Sequence, residues 1–174
     1  MALVHHKAPD FVADAYVNGE IKKAVKLSDF RGKYVVLVFY PLDFTFVCPT
    51  ELRALANDYA SFQKEGAEVV GVSVDSVYSH LAWFQRDLPE VKYPVLADIT
   101  KKIAKDYGVL DEDKGVALRG TFIIDPEGVV QYQVVSGLGL GRNTGETLRA
   151  LQALKTGELC PADWKPGAKT LGKA

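Results

Sequence analysis

The sequence predicts an α/β fold in which a central mixed β-sheet is covered on both faces by helices. Three observations carry that prediction. The hydrophobic pattern switches repeatedly between strand and helix periods. One run, 34–40, is continuously apolar and rich in β-branched residues, as a strand buried on both faces must be, and 67–74 reads as a second buried strand. No internal repeat, low-complexity stretch or long linker divides the 174 residues, a length that suits one domain with at most a short appended arm. We read a domain over 1–157 and a C-terminal arm over 158–174.

The elements follow in order. Residues 11–17 and 20–26 flank Asn18-Gly19, a strong two-residue turn signal, and read as an N-terminal β-hairpin. Residues 27–33 form a loop or short helical turn before the first buried strand, 34–40. From Glu51 the period is helical, with Leu52, Leu55, Ala56, Tyr59 and Phe62 on one face and Gly66 at its end. The second buried strand, 67–74, precedes a helix over 76–87 capped by Asp75 or Ser76. A short strand over 93–96 leads to a helix over 100–107. Strands 120–124 and 129–135 flank the turn Asp125-Pro-Glu-Gly128, and a last helix covers 144–155 with Gly157 beyond it. The remainder reads as an extended arm.

Composition excludes several classes. Hydrophobic residues at 48% and charged residues at 25% match soluble globular averages, so disordered, collagen-like and coiled-coil chains are ruled out. The longest apolar run, 34–41, is far below the roughly 20 residues of a membrane-spanning helix. With 21 basic and 22 acidic side chains and no basic run, neither nucleic acid nor an anionic membrane is an expected partner. The opening segment lacks the apolar stretch of a secretory signal, which leads us to expect a cytoplasmic protein. The two cysteines, Cys48 and Cys160, are too few for a disulfide-dense scaffold and too far apart for a clustered zinc module. In a reducing compartment they start from the reading of small, buried, inert thiols.

The chemistry concentrates in Tyr40-Pro-Leu-Asp-Phe-Thr-Phe-Val-Cys-Pro-Thr-Glu51, between a buried strand and an amphipathic helix. Open α/β folds place their sites at such strand ends. Cys48 falls in or just before the helix's first turn, where free N–H groups favour a thiolate. An ordinary thiol is only about 3% ionised at pH 7. A helix terminus supplies ~0.3–1 kcal/mol, too little to ionise most of it, so a cation is needed as well. Arg119, opening a strand, is the first candidate and Arg142 the second. Thr45 could place a hydroxyl beside the sulfur. Pro49, having no N–H, leads us to expect a first turn that unwinds easily. On spacing alone Cys48 reads equally well as a small core residue and Arg119 as a solvated charge. No Cys-x-x-Cys is present, and of the histidines, His5-His6 read as a frayed, solvated terminus. His80 and Trp83 read as belonging to a helix surface and its buried face.

The chain resembles the typical two-cysteine peroxiredoxins, the group that includes the alkyl hydroperoxide reductase C component. Tyr40-Pro41 with Asp43-Phe-Thr-Phe-Val-Cys-Pro-Thr-Glu51 is similar to the family's peroxidatic loop, and Gly157-Glu-Leu-Cys-Pro-Ala-Asp-Trp-Lys-Pro-Gly167 to its resolving segment. Asp75-Ser76, Ser79-His-Leu-Ala-Trp83 and Leu118-Arg-Gly-Thr-Phe-Ile-Ile-Asp125 lie between them. The resemblance implies a thioredoxin-like fold and an antioxidant, thiol-dependent peroxidase acting on hydrogen peroxide and organic hydroperoxides. It implies Cys48 as peroxidatic nucleophile, shielded by Pro41 and assisted by Thr45 and Arg119. It gives Glu51 and Arg142 the task of orienting Arg119, and makes Cys160 the resolving thiol of a partner subunit. No metal or prosthetic cofactor is expected. The expected partners are an external reductant, thioredoxin or a dedicated disulfide reductase, and further copies of the chain in a homodimer or a ring of five dimers. A general thiol–disulfide oxidoreductase, a chaperone-like holdase and an inert domain are the competing classes.

Peroxide-sensitive members of that group carry a Gly-Gly-Leu-Gly insert before the helix expected at 100–107 and a C-terminal helix ending in Tyr-Phe. Here Leu88-Pro-Glu-Val-Lys-Tyr-Pro94 runs on without the insert, and the sequence closes on Lys173-Ala174. Ser136-Gly-Leu-Gly-Leu-Gly141 imitates the letters in another place. The expectation is an enzyme that resists overoxidation of Cys48 to the sulfinic acid.

Overall fold

The structure, a computed structural model, describes residues 2–173. Strands β1 (Val12–Val17) and β2 (Glu20–Lys26) form the N-terminal hairpin, and a 3₁₀ turn over Leu27–Phe30 leads into β3 (Tyr34–Phe39). Then come α1 (Cys48–Lys64), β4 (Ala67–Ser73), α2 (Val77–Asp87), β5 (Val95–Ala97) and α3 (Lys102–Asp106). A small hairpin, β6 (Leu110–Asp111) and β7 (Val116–Ala117), precedes β8 (Arg119–Ile124), β9 (Val130–Ser136) and α4 (Thr144–Thr156). Asn18 and Gly19 both take positive φ, 48° and 90°, the type I′ geometry that matches strand twist.

Seven strands form one mixed sheet in the order β2-β1-β5-β4-β3-β8-β9, the thioredoxin-like arrangement expected from the sequence. Strands β3, β4 and β5 run parallel, with α1 and α2 as the crossovers that parallel neighbours require. Alternation along β3 divides the core. Val36 and Val38 pack with Leu52, Phe62, Trp83, Phe84 and Leu151 on one face. Val35, Leu37 and Phe39 pack with Ile103, Tyr107, Phe122 and Phe11 on the other.

One register places the chemistry. Strand β8 runs antiparallel to β3 with Val38 opposite Thr121. Two residues further in opposite directions are Tyr40 and Arg119, so the first residue of β8 arrives where β3 ends and the loop to α1 begins. Close approach there requires a glycine. A Cβ on Gly120 would lie 2.8 Å from Val109 Cγ1 and 3.1 Å from the Phe122 ring.

Four local readings are corrected. The third helix is shorter than 100–107 because Lys101 takes a left-handed φ of 62°. The buried Asp98 carboxylate then accepts from the N–H groups of Ile103 and Ala104 at 3.1 and 2.7 Å. The β6–β7 hairpin is too short to leave a periodic signal. The amino-terminal segment is solvated but not frayed: His5 N–H donates to Val130 O at 2.8 Å, and Val130 N–H donates to His6 O at 3.0 Å. The segment after α4 has no helix or strand, yet it is folded back rather than extended. Leu159 and residues 171–172 close it by two 2.8 Å backbone bonds, and Trp164 is 5% exposed beneath it.

Candidate active site

Cys48 is the first residue of α1 and is 1% exposed. It follows the loop of residues 41–47, which leaves the C-terminal end of β3. Thr50 and Glu51 N–H both point back to Val47 O, at 3.1 and 3.3 Å. Pro49 falls in the first turn, where an N–H has no intrahelical acceptor in any case, and its fixed φ suits the helix. The expectation that Pro49 weakens this turn is therefore corrected.

Arg119 is 3% exposed and makes contacts in three directions. Its Nη1 lies 3.5 Å from Cys48 Sγ and donates to Glu51 Oε2 at 2.6 Å. Its Nε and Nη2 fork onto the carbonyl of Leu138 at 2.9 and 2.7 Å. Glu51, 3% exposed, holds a second guanidinium on its other side. Arg142 Nε and Nη2 reach Oε1 and Oε2 at 2.8 and 2.9 Å, its backbone N–H reaches Oε1 at 3.0 Å, and Nη1 reaches Gly120 O at 2.9 Å. Two guanidiniums against one carboxylate leave net positive charge beside a sulfur shielded from water.

The remaining sequence-selected residues lie as follows. Pro41 is buried where the loop begins. Thr45 is half-buried and donates its hydroxyl proton to Leu42 O at 2.9 Å. An open groove of about 540 Å³ runs past it, lined by Phe44, Thr45, Pro49, Arg53, Trp83, Arg86 and Asp87. Cys160 is elsewhere, over the last turns of α4. Its sulfur lies 3.5 Å from Thr156 Oγ1 and 3.8 Å from Ala153 O. Both cysteines are free thiols. Tyr93, fully buried, donates its hydroxyl to Leu52 O in α1 at 2.9 Å. Among the described residues no group of three or more His, Cys, Asp or Glu is placed to hold a metal ion.

Two features escaped the sequence reading. The glycine-rich 136–141 segment, set aside there as a coincidence of letters, supplies the Leu138 carbonyl that fixes Arg119. His80 is not a surface residue but 0% exposed, bonded to Asp43 and to the carbonyl of Leu96. A single sequence cannot pair position 43 with position 80. The usable signal was His80 among Val77, Trp83 and Phe84, the apolar face of its helix.

A thiol aimed by a buried arginine at a strand–helix junction of this sheet marks a class, and comparison with known proteins agrees. Residues 4–133 match the AhpC/TSA family, and residues 150–174 match the C-terminal domain of 1-Cys peroxiredoxin. The chain belongs to the AhpC/TSA family, and its relatives include 2-Cys peroxiredoxins. It is 55% identical to the chloroplastic 2-Cys peroxiredoxin BAS1 of Spinacia oleracea, over 98% of this chain and 68% of the relative. It is 51% identical to Peroxiredoxin-2 of Mus musculus, over 98% and 90%. The reduced 2-Cys peroxiredoxin of Plasmodium vivax superposes with a TM-score of 0.93 at 41% identity, over 98% of this chain and 93% of that one. The AhpC of Enterococcus faecalis superposes with 0.88, also at 41% identity, over 92% and 100%. The protein is a thiol-dependent peroxidase of antioxidant defence, taking a peroxide substrate and a reductant partner.

The cytoplasmic expectation is corrected by the same relatives. Those from Spinacia oleracea, Hordeum vulgare and Arabidopsis thaliana, 54–55% identical, are named chloroplastic. Compartment is addressed by targeting segments and not by the composition of a folded domain, so a missing secretory pattern left the plastid open.

Proposed function

We propose that Cys48 is the nucleophile of the peroxidase and that Arg119, Thr45 and Pro41 shape its reaction. The thiolate attacks one peroxide oxygen along the O–O axis. The S–O bond forms as the O–O bond breaks, and the leaving oxygen takes a proton to depart as water or an alcohol. Charge spreads over S···O···O during this step, and the Arg119 N–H groups are aimed where it develops. The Thr45 hydroxyl, its one proton held on Leu42 O, offers its oxygen as an acceptor for the hydrogen of the peroxide. Pro41 keeps water from the sulfur, and Glu51 with Arg142 holds the Arg119 fork. The single observation that carries this reading is the 3.5 Å contact of Arg119 Nη1 with a buried Cys48 Sγ.

The sulfenic acid then condenses with the thiol of Cys160 from a partner subunit, releasing water and forming a disulfide. Within one chain the two sulfurs sit at different sites, which supports resolution between chains in a homodimer, alone or within a ring of five dimers. An external dithiol, thioredoxin or a dedicated disulfide reductase, reduces the disulfide by exchange. The whole cycle runs on sulfur, with no metal or prosthetic group. The direct path from α2 to β5 through Val91 and Tyr93, both 0% exposed, supports resistance to overoxidation. The chloroplastic relatives support a plastid setting.

Non-reducing electrophoresis after one equivalent of peroxide tests the cycle. The expected product is a reducible dimer, absent from both Cys48→Ser and Cys160→Ser. Oxidised monomer alone would overturn intersubunit resolution. Full peroxide consumption by Arg119→Ala would instead favour a general thiol–disulfide oxidoreductase.

A further inference from the structure

The loop of residues 41–47 hangs on one side chain. Leu42, Phe44 and Phe46 are 36%, 49% and 94% exposed, whereas Asp43 between them is 6% exposed. Its carboxylate accepts from two hydroxyls and faces one imidazole nitrogen. Tyr40 O–H reaches Oδ1 at 2.7 Å, and Ser79 O–H and His80 Nδ1 reach Oδ2 at 2.8 and 2.7 Å. Its backbone N–H donates to Asp75 Oδ2 at 2.9 Å, and Ser73 O–H donates to the same oxygen at 2.6 Å. Asp43 thereby ties the loop to the ends of β3 and β4 and to the first turns of α2.

His80 closes this network from below. Its Nε2 lies 3.1 Å from Leu96 O, and a carbonyl can only accept, so Nε2 carries a hydrogen. The ring is stacked on Phe84 at 5.8 Å and 21°, with Nδ1 on the Asp43 carboxylate. Immediately after this anchor the chain is strained. Phe44 takes a φ of 56°, a left-handed conformation that costs a non-glycine residue and persists where its surroundings enforce it. The turn lays the Phe44 ring 5.5 Å from Trp83 and under the Arg86 guanidinium at 5.0 Å. Anchor and turn together fix the direction in which Thr45, Phe46 and Val47 run to Cys48.

We propose that His80, acting through Asp43, is a positioning residue that holds the 41–47 loop in the form that reacts with peroxide. It touches neither the sulfur nor the substrate, and its effect is on the placement of Pro41 and Thr45 over Cys48. The inference rests on the reading of Cys48 as the peroxide-reacting thiol.

The test compares two reactions of the same sulfur in the full-length protein. Single-turnover oxidation by hydrogen peroxide needs the shaped loop, whereas alkylation by iodoacetamide needs only an accessible thiolate. His80→Leu should slow peroxide oxidation by about 10- to 100-fold, the scale of ångström-level misplacement, and leave alkylation within about twofold. His80→Asn, which keeps a polar group toward Asp43, should recover most of the lost rate. Tyr40→Phe and Ser79→Ala each delete one donor to Asp43 with little change of shape. They should slow peroxide alone by about threefold, and they carry the test if His80→Leu does not fold. Unchanged peroxide rates in Tyr40→Phe, Ser79→Ala and any folded His80 variant overturn the proposal. An equal fall in both reactions overturns it too, since the network would then serve the fold and not the loop. Peroxide consumption that survives in Cys48→Ser would overturn the underlying reading itself, and is recognised separately from either result.

Discussion

Glu51 and Arg142 face each other across the gap between α1 and the loop after β9, and one carboxylate serves two guanidiniums. Arg142 grips both Glu51 oxygens at 2.8 and 2.9 Å, while Arg119 takes Oε2 at 2.6 Å. Both side chains of the Glu51–Arg119 pair are at most 4% exposed. Removing the carboxylate strands two cations where water reaches poorly.

Glu51→Ala should therefore cost stability as well as rate. Breaking a buried pair from one side costs about 3–5 kcal/mol. Urea denaturation of the reduced protein should show a loss on that scale, with slower peroxide consumption in the fraction that remains folded. A loss below about 1 kcal/mol, the range of exposed pairs, would mean that water reaches the cluster.

Arg119→Lys should fail to rescue Arg119→Ala. The guanidinium touches Cys48 Sγ, Glu51 and Leu138 O at once through a rigid fork, whereas an ammonium is a point donor on a flexible stem. Both variants should lose about 10²- to 10³-fold in the rate of peroxide oxidation of Cys48, measured by stopped-flow fluorescence. A lysine variant within tenfold of wild type would reduce the fork to its charge.

Gly120→Ala should destabilise by about 1–3 kcal/mol through overpacking against Val109 and Phe122. Because Gly120 O also holds Arg142 Nη1 and its neighbour is Arg119, the peroxide rate should fall with stability. Gly128→Ala is a useful contrast: a Cβ there meets nothing, so only its positive φ of 82° is felt.

Asp75 gives a pH signature. Burial, and next the charge of Asp43, hold its carboxyl above the ordinary value of 3.8. The folded protein binds that proton more tightly than the unfolded chain does. The resulting stability is complete below the unfolded value and is lost as pH rises through the folded one. Asp75→Asn can keep both accepted bonds through its amide oxygen without carrying the charge. Its stability relative to wild type should rise as pH climbs through the interval between the unfolded and folded values and then level off. A relative stability that falls with pH across that window would contradict the assignment.

Much of this was legible from residue types alone. Tyr34–Phe39 had to be a central strand because nothing polar interrupts it, and the valines of Ala67–Ser73 mark its neighbour. Asn18-Gly19 dictated its hairpin, and Gly157 ends α4 with a φ of 63° as a helix-closing glycine does. The loop around Cys48 was conspicuous because so many turn-forming and polar letters follow a buried strand. What stayed hidden depends on three-dimensional neighbours. The Leu138 carbonyl acts as an acceptor for Arg119 through a backbone group that any residue there could offer. His80 reads as a helix-face residue until α2 is docked against the end of β5. The fold-back after Leu159 is made of backbone pairs and one tryptophan, with no periodicity to announce it.

The hydroxyl of Tyr93 on Leu52 O and the ion pairs of Glu51 have a mechanical meaning for the start of α1. With residues 51 and 52 moored to the core, Cys48 is carried on a tether of three residues, Cys48 to Thr50. At ~3.3–3.6 Å per extended residue, such a tether keeps the backbone of Cys48 within about 10 Å of its mooring at residue 51. A sulfur so tied cannot go in search of Cys160. In the proposed cycle the second thiol is delivered to within that reach, which calls for release of the folded segment around Trp164 as well as unwinding of α1.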